Sequence, residues 1–316
     1  MKKYYILLIL IAFGISTNAQ IFNAVKDKLK EVAVDKVSGS ISTSAKNLIT
    51  TESITTNFND CDKTNIKEPA FASKENFNSL CNANYIQDKG YELTPGYYEL
   101  NLLSFCLKAG THAPSKGDGY LFAPLKGPKE KIIDKLVKNW YNHQDIKQHQ
   151  VQALIWAILA KANFKNLSSE LQLVASKLLS PKELLSLSKM GLDFIPQNVI
   201  SEVTTNLPKP VQLVIEAENK MRQLFNSSSY SYSELEKLAM LTGLNTGKSH
   251  IENGTWGLHP SGFWISYLPN GYSNMKVKIY VPQEITSVYY RPSEDVAVPA
   301  NTSSQRLLLS DIKNCK

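Results

Sequence analysis

The chain has 316 residues and carries 35 basic and 28 acidic side chains, a formal charge of +7, with 43% hydrophobic residues. The lysines are scattered, without a run of five basic residues, so there is no concentrated basic stripe of the kind a nucleic-acid surface needs, and no nucleic-acid partner is expected. A mild positive charge is compatible with acidic envelope polymers or membrane surfaces without pointing to either.

The N-terminus reads MKKYYILLILIAFGISTNAQ. Two lysines, an apolar run over residues 4–14 and the small-residue end Thr17-Asn18-Ala19 have the layout of a secretory leader, with cleavage expected after Ala19. The apolar run is shorter than the roughly 20 residues a membrane-spanning helix requires, and no later stretch is longer. The mature chain is therefore expected to lack a transmembrane helix, to carry a charge of +5, and to work in the periplasm or outside the cell.

Residues 20–60 are expected to hold a short amphipathic helix and a tether. Phe22, Val25, Leu29 and Val32 fall three or four apart, so Ile21 to Val37 presents one apolar face for peripheral contact with the protein's body, a partner or a membrane. Residues 39–60 are rich in Ser, Thr and Asn and read as a mobile connector.

Residues 61–246 read as a helical domain. Within it, residues 99–109 fit a short helix stopped by Gly110, with Leu100, Leu103 and Leu107 on one side. Pro128 precedes a run with Ile132, Ile133, Leu136, Val137 and Trp140 on one face. The strongest period follows at 146–162, where Val151, Leu154, Ile155, Ile158, Leu159 and Ala162 form a core stripe. Further helical runs are expected at 167–179, 181–190, 208–224 and 231–241. Gln148, Gln150 and Gln152 read as a polar, solvated helix face.

The stretch FCLKAGTHAPSKGDGYLFAPLKGP, residues 105–128, concentrates one Cys, one His and one Asp among glycines and prolines. An enzymatic reading makes Cys106 the nucleophile, His112 its base and Asp118 the orienting group of a hydrolase or transferase acting on peptide or glycan. The competing reading is a stiff, shaped loop whose aromatic Tyr120 plugs into a core or contacts a ligand. No Walker loop, calcium loop, His-Glu-x-x-His or Gly-x-Ser-x-Gly pattern occurs, so no cofactor and no metal site is expected.

Residues 247–316 read as a small antiparallel β module. Phe263, Ile265 and Tyr267 alternate with Trp264, Ser266 and Leu268, and Met275, Val277, Ile279 and Val281 alternate with polar residues and Tyr280. Pro269-Asn270-Gly271 between the two runs is a turn signal. Aromatic density makes Trp256, Trp264, Tyr267 and Tyr272 candidate ligand-binding residues, since rings with polar tips favour recognition surfaces.

Four cysteines, Cys61, Cys81, Cys106 and Cys315, permit two disulfides in an exported chain. Cys61–Cys81 is the local pairing, and Cys106–Cys315 would then tie the end of the chain to its middle.

Together these features describe an α+β protein, a mainly helical bundle with a Pro/Gly-rich loop followed by the β module. Its expected role is exported and non-catalytic, contacting a glycan or other envelope polymer or an envelope protein. The Cys/His enzyme is the alternative, and a third reading is a subunit of an envelope assembly docked through the N-terminal helix.

Overall fold

The computed structural model describes residues 43–315, apart from 116, 190–191, 228–229, 244–246 and 248. The leader and the amphipathic helix at residues 21–37 lie outside the described residues. Two units emerge. One comprises the chain up to Thr51 together with Leu192–Leu207; the other comprises Glu52–Gly191 and Pro208–Lys316.

Among the described residues there are eight α-helices: α1 Thr43–Thr50, α2 Glu130–Trp140, α3 Gln148–Leu159, α4 Ser169–Leu178, α5 Pro181–Lys189, α6 Gln197–Thr205, α7 Lys209–Ser227 and α8 Tyr232–Ala239. The strands are β1 Ile66–Lys67, β2 Asn78–Ser79, β3 Tyr85–Ile86, β4 Gly90–Leu93, β5 Gly96–Cys106, β6 Thr111–His112, β7 Tyr120–Pro124, β8 Met240–Leu241, β9 Trp256–Leu258, β10 Trp264–Pro269, β11 Asn274–Val281, β12 Val288–Tyr290, β13 Asp295–Pro299 and β14 Leu307–Lys313. None of the described helices is long and apolar enough to cross a membrane.

The smaller unit pairs α1 with α6. Residues 43–60, read as part of a mobile tether, are ordered. They hold α1 and then a segment in which Thr55 donates its backbone N–H to Lys126 O and the Thr56 hydroxyl donates to Pro124 O.

The larger unit overturns the expected fold class. Its organising element is a curled antiparallel half-barrel with eight strands in the order β1-β9-β10-β11-β5-β14-β13-β7, plus β2 laid parallel to β5. The helical bundle followed by a separate β module does not exist, because β5 is threaded between the C-terminal strands β11 and β14. The helix expected at residues 99–109 is most of this central strand. Leu100, Leu103 and Leu107 fit a helical face, but Leu100 and Leu102 equally fit a strand face, and pairing along the whole of β11 satisfies eleven residues of backbone that a lone helix could not bury.

Sheet alternation creates two cores. The inner face of the curl buries Leu100, Leu102, Tyr120, Ile265, Tyr267, Val277 and Leu307, with the small sheet β12-β4-β3 contributing Tyr91, Leu93 and Tyr290. At one end the outer face packs on helices through Phe105, Leu121, Val296, Val298 and Leu308. Helix α3 lies in that second core with Val151 to Leu159 all buried, as a helix apolar all round must be. The other end of the outer face, on β10, β11 and the start of β5, carries no helix and is the subject of the next section.

Candidate functional site on the outer face of the sheet

The residues 105–128 resolve into scaffold. Cys106 ends β5 with no exposed surface, and burial pushes its thiol up to about 11, away from the thiolate a nucleophile requires. Its side chain donates to Gln305 Oε1. His112 is held through its backbone, by Ser303 O and Gln305 N, in the short strand β6 beside β8. Asp118 is buried and accepts from Ser115 N (3.0 Å), the Ser304 hydroxyl (2.6 Å) and Asn301 Nδ2 (3.2 Å). No hydrogen bond joins Cys106, His112 and Asp118 to one another.

The glycines of this stretch mark close backbone approaches. A Cβ at Gly119 would lie 2.4 Å from Ile251 O, and one at Gly110, where φ is +71°, 2.5 Å from Leu213 O. Tyr120 is buried on the inner face, its hydroxyl donating to Gln305 O.

The cysteines pair otherwise than expected. The bridge joins Cys81 to Cys315 with Cα atoms 5.8 Å apart, while Cys61 and Cys106 are free and buried. The chain end is indeed tied to the middle, but through Cys81, because β14 runs beside β5 and the 80–82 turn lies at that end of it. Burial raises the Cys61 thiol to about 12.

Two polar residues whose role the helical pattern concealed are Gln148 and Gln152. Gln152 accepts from Cys106 N (2.8 Å) and donates to Cys106 O (3.1 Å), while Gln148 donates to Ser104 O and Ser273 O. Spaced four apart on α3, they act as a substitute strand edge that docks the helix on β5.

The C-terminal aromatic residues separate into three places. Tyr267 is fully buried on the inner face, its hydroxyl donating to Asp295 Oδ2 at 2.8 Å. Tyr272, at the β10–β11 turn, shares a hydrogen bond with the Tyr232 hydroxyl and donates to Glu236. Trp256 and Trp264 lie on the outer face.

Register orders that outer face into rows. Trp264 stands beside Tyr280, and Tyr280 beside Tyr97; the next row is Ser266, Lys278 and Glu99; the third is Leu268, Lys276 and Asn101. The turn then adds Asn270 and Asn274. Trp264 to Asn270 spans about 20 Å at roughly 3.4 Å per strand residue.

The aromatic end is covered by its own neighbours. Phe71 meets Trp256, Trp264 and Tyr280 at 5.5–5.9 Å between centroids, and Phe77 stacks on Trp256 at 6.2 Å. The Lys67 ammonium lies 3.9 Å from the Phe71 ring centre and 4.3 Å from that of Trp264, a double cation–π contact. Trp256 is consequently buried and Trp264 half-buried.

The opposite end is open. A cleft of about 420 Å³ is lined there by Asn101, Leu268, Asn270, Asn274, Lys276 and Asn314, with the backbone of Met275. Its one cation is matched, with Lys276 Nζ 3.0 Å from Glu99 Oε2. This volume falls within the range of small-ligand sites. A second cleft of about 440 Å³, between α2 and residues 85–88, is walled by charges already paired within the protein, among them Lys135–Glu183 and Lys138–Asp134, both at 2.9 Å. Among the described residues, no three His, Cys, Asp or Glu side chains converge as a metal site.

Comparison with protein-family models, with characterised proteins and with solved structures finds no match. Function must be argued from this geometry alone.

Proposed function

We propose that this is an exported, non-catalytic binding protein that holds a glycan polymer of the cell envelope along the outer face of its sheet. The leader-like N-terminus and the Cys81–Cys315 pair, a linkage favoured in oxidising compartments, support export. The observation that carries the binding role is the run of rows from Trp264 to Asn270. Rings, matched charges and carboxamides follow one another on one helix-free face long enough for several sugar units. Rigid strands hold these groups in fixed relative positions, which lowers the ordering cost of binding. A protein partner is the other occupant such a face could take.

The enzymatic alternative gains nothing from the arrangement, since Cys106 is sealed in a core and His112 makes no contact with it. The test is co-sedimentation of the full chain with isolated envelope polysaccharide. Trp264→Ala and Lys276→Ala should each reduce retention, whereas Cys106→Ala should not. Retention unchanged in both outer-face variants, or loss in Cys106→Ala alone, would overturn the proposal.

A further inference from the structure

We infer that the carboxamide cleft at the β10–β11 turn selects an uncharged saccharide unit, an inference that rests on the outer-face reading above and names the chemistry of its ligand. Four of the side chains lining the cleft are asparagines. A carboxamide presents donor and acceptor together, as a sugar hydroxyl does, so each can serve the other in either sense.

Two of the four are fixed in advance. Asn314 Nδ2 donates to Asn274 Oδ1 at 2.7 Å, and Asn274 Nδ2 donates to Ser273 Oγ at 3.1 Å. The backbone is pinned as well, with Asn314 N donating to Asn101 O and Asn270 N to Asn274 O. The side-chain amides of Asn101 and Asn270 make no hydrogen bond within the protein and remain available. Leu268, in the same row as Asn101, offers an apolar surface on which the C–H face of a pyranose ring can lie.

Charge decides the class. An anionic sugar entering the cleft meets only Lys276, already engaged by Glu99, and a cationic one meets no free carboxylate. Either would lose its hydration without a compensating partner, a cost that an uncharged ring does not bear. The cleft also has a built-in restraint: Asn314 immediately precedes Cys315, so the bridge to Cys81 holds this wall of the site in place.

The experiment is calorimetric titration of the full chain with three hexasaccharides of matched length: cellohexaose, uncharged; hexagalacturonate, anionic; and a glucosamine hexamer, cationic. Cellohexaose is expected to bind, and the other two to bind at least about tenfold more weakly, as expected when one desolvated charge lacks a partner. Asn101→Asp, which keeps the size and adds a charge, and Asn270→Ala, in the exposed turn where folding is not at stake, should each weaken cellohexaose about tenfold. Tighter binding of a charged hexamer, or cellohexaose binding that survives both variants, overturns the inference. In that case, loss of polymer retention in Trp264→Ala would still leave the outer-face reading intact. Failure of every hexamer together with failure to sediment with any envelope polymer overturns both.

Discussion

Removing the Cys81–Cys315 bridge tests how this fold is closed. The bonded residues are 234 positions apart, so the bridge encloses most of the described chain. Loop-closure entropy for a ring of that size comes to ~5.5 kcal/mol at 25 °C, acting on the unfolded chain. Residual structure in the unfolded state usually takes part of that away, which leaves an expected loss of about 2–5 kcal/mol for Cys81→Ser/Cys315→Ser. Little of it should arise in the folded state. The last strand keeps its pairing with β5, and Lys313 Nζ still donates to Cys81 O (2.9 Å) and Ala83 O (3.0 Å). Urea unfolding followed by tryptophan fluorescence measures the difference, in oxidised protein, in reduced protein and in the double variant. The reduced and double-variant curves should coincide at a lower midpoint, with a steeper dependence on urea because a chain without the cross-link exposes more surface when unfolded. Coincidence of all three curves to within about 0.5 kcal/mol would refute the entropic argument.

Gly119→Ala should destabilise by more than about 2 kcal/mol, since its methyl group meets backbone oxygen on two sides, whereas Gly117→Ala, with open space around it, should stay within about 0.5 kcal/mol. Equal thermal shifts in the two variants would contradict this. Cys106 and Cys61 should resist alkylation near neutral pH in the native protein and react at once in denaturant, because burial raises both thiols far above that pH. Intact-mass labelling reads this directly, and rapid native labelling of Cys106 would revive the nucleophile reading. Desolvation raises the carboxyl of Glu218 on α7 to about 7, despite nearby Lys161 and Arg222. A raised acid is most favourable to the folded state below its unfolded value of about 4.3, and that advantage is lost as pH rises through about 7. Glu218→Gln should therefore match the wild type near pH 4 and exceed its stability at pH 8, by ~1–3 kcal/mol with allowance for partial exposure. The opposite ordering at pH 8 would show the carboxylate to be well paired.

Local pattern is legible in this chain wherever one segment decides its own face. The core stripe of α3, the proline-led start of α2 and the Pro269-Asn270-Gly271 hairpin with its two alternating strands form at the positions their residues indicate. A period of 3.6 or 2 sustained over ten residues leaves one arrangement that buries the apolar side. Residues 96–106 show the limit. Their leucines suit either period, and the choice falls to a partner strand about 170 residues later.

What sequence alone determined here is the set of faces: which side of each helix or strand is apolar, where turns occur, and that the residues 105–128 are conformationally special. Tertiary structure decided everything that depends on which faces meet. It joined strands from both halves of the chain into one curled sheet, paired Cys81 rather than Cys106 with Cys315, and turned Gln148 and Gln152 inward as a strand edge. It also sent Tyr267 into a core while leaving Trp264 outside, although the two are only three residues apart. The carboxamide cleft is the clearest case, with Asn101, Asn270, Asn274 and Asn314 contributed by β5, the hairpin and the chain end. Such convergence costs loop-closure entropy that no local window can register, and it is repaid only when the whole sheet closes.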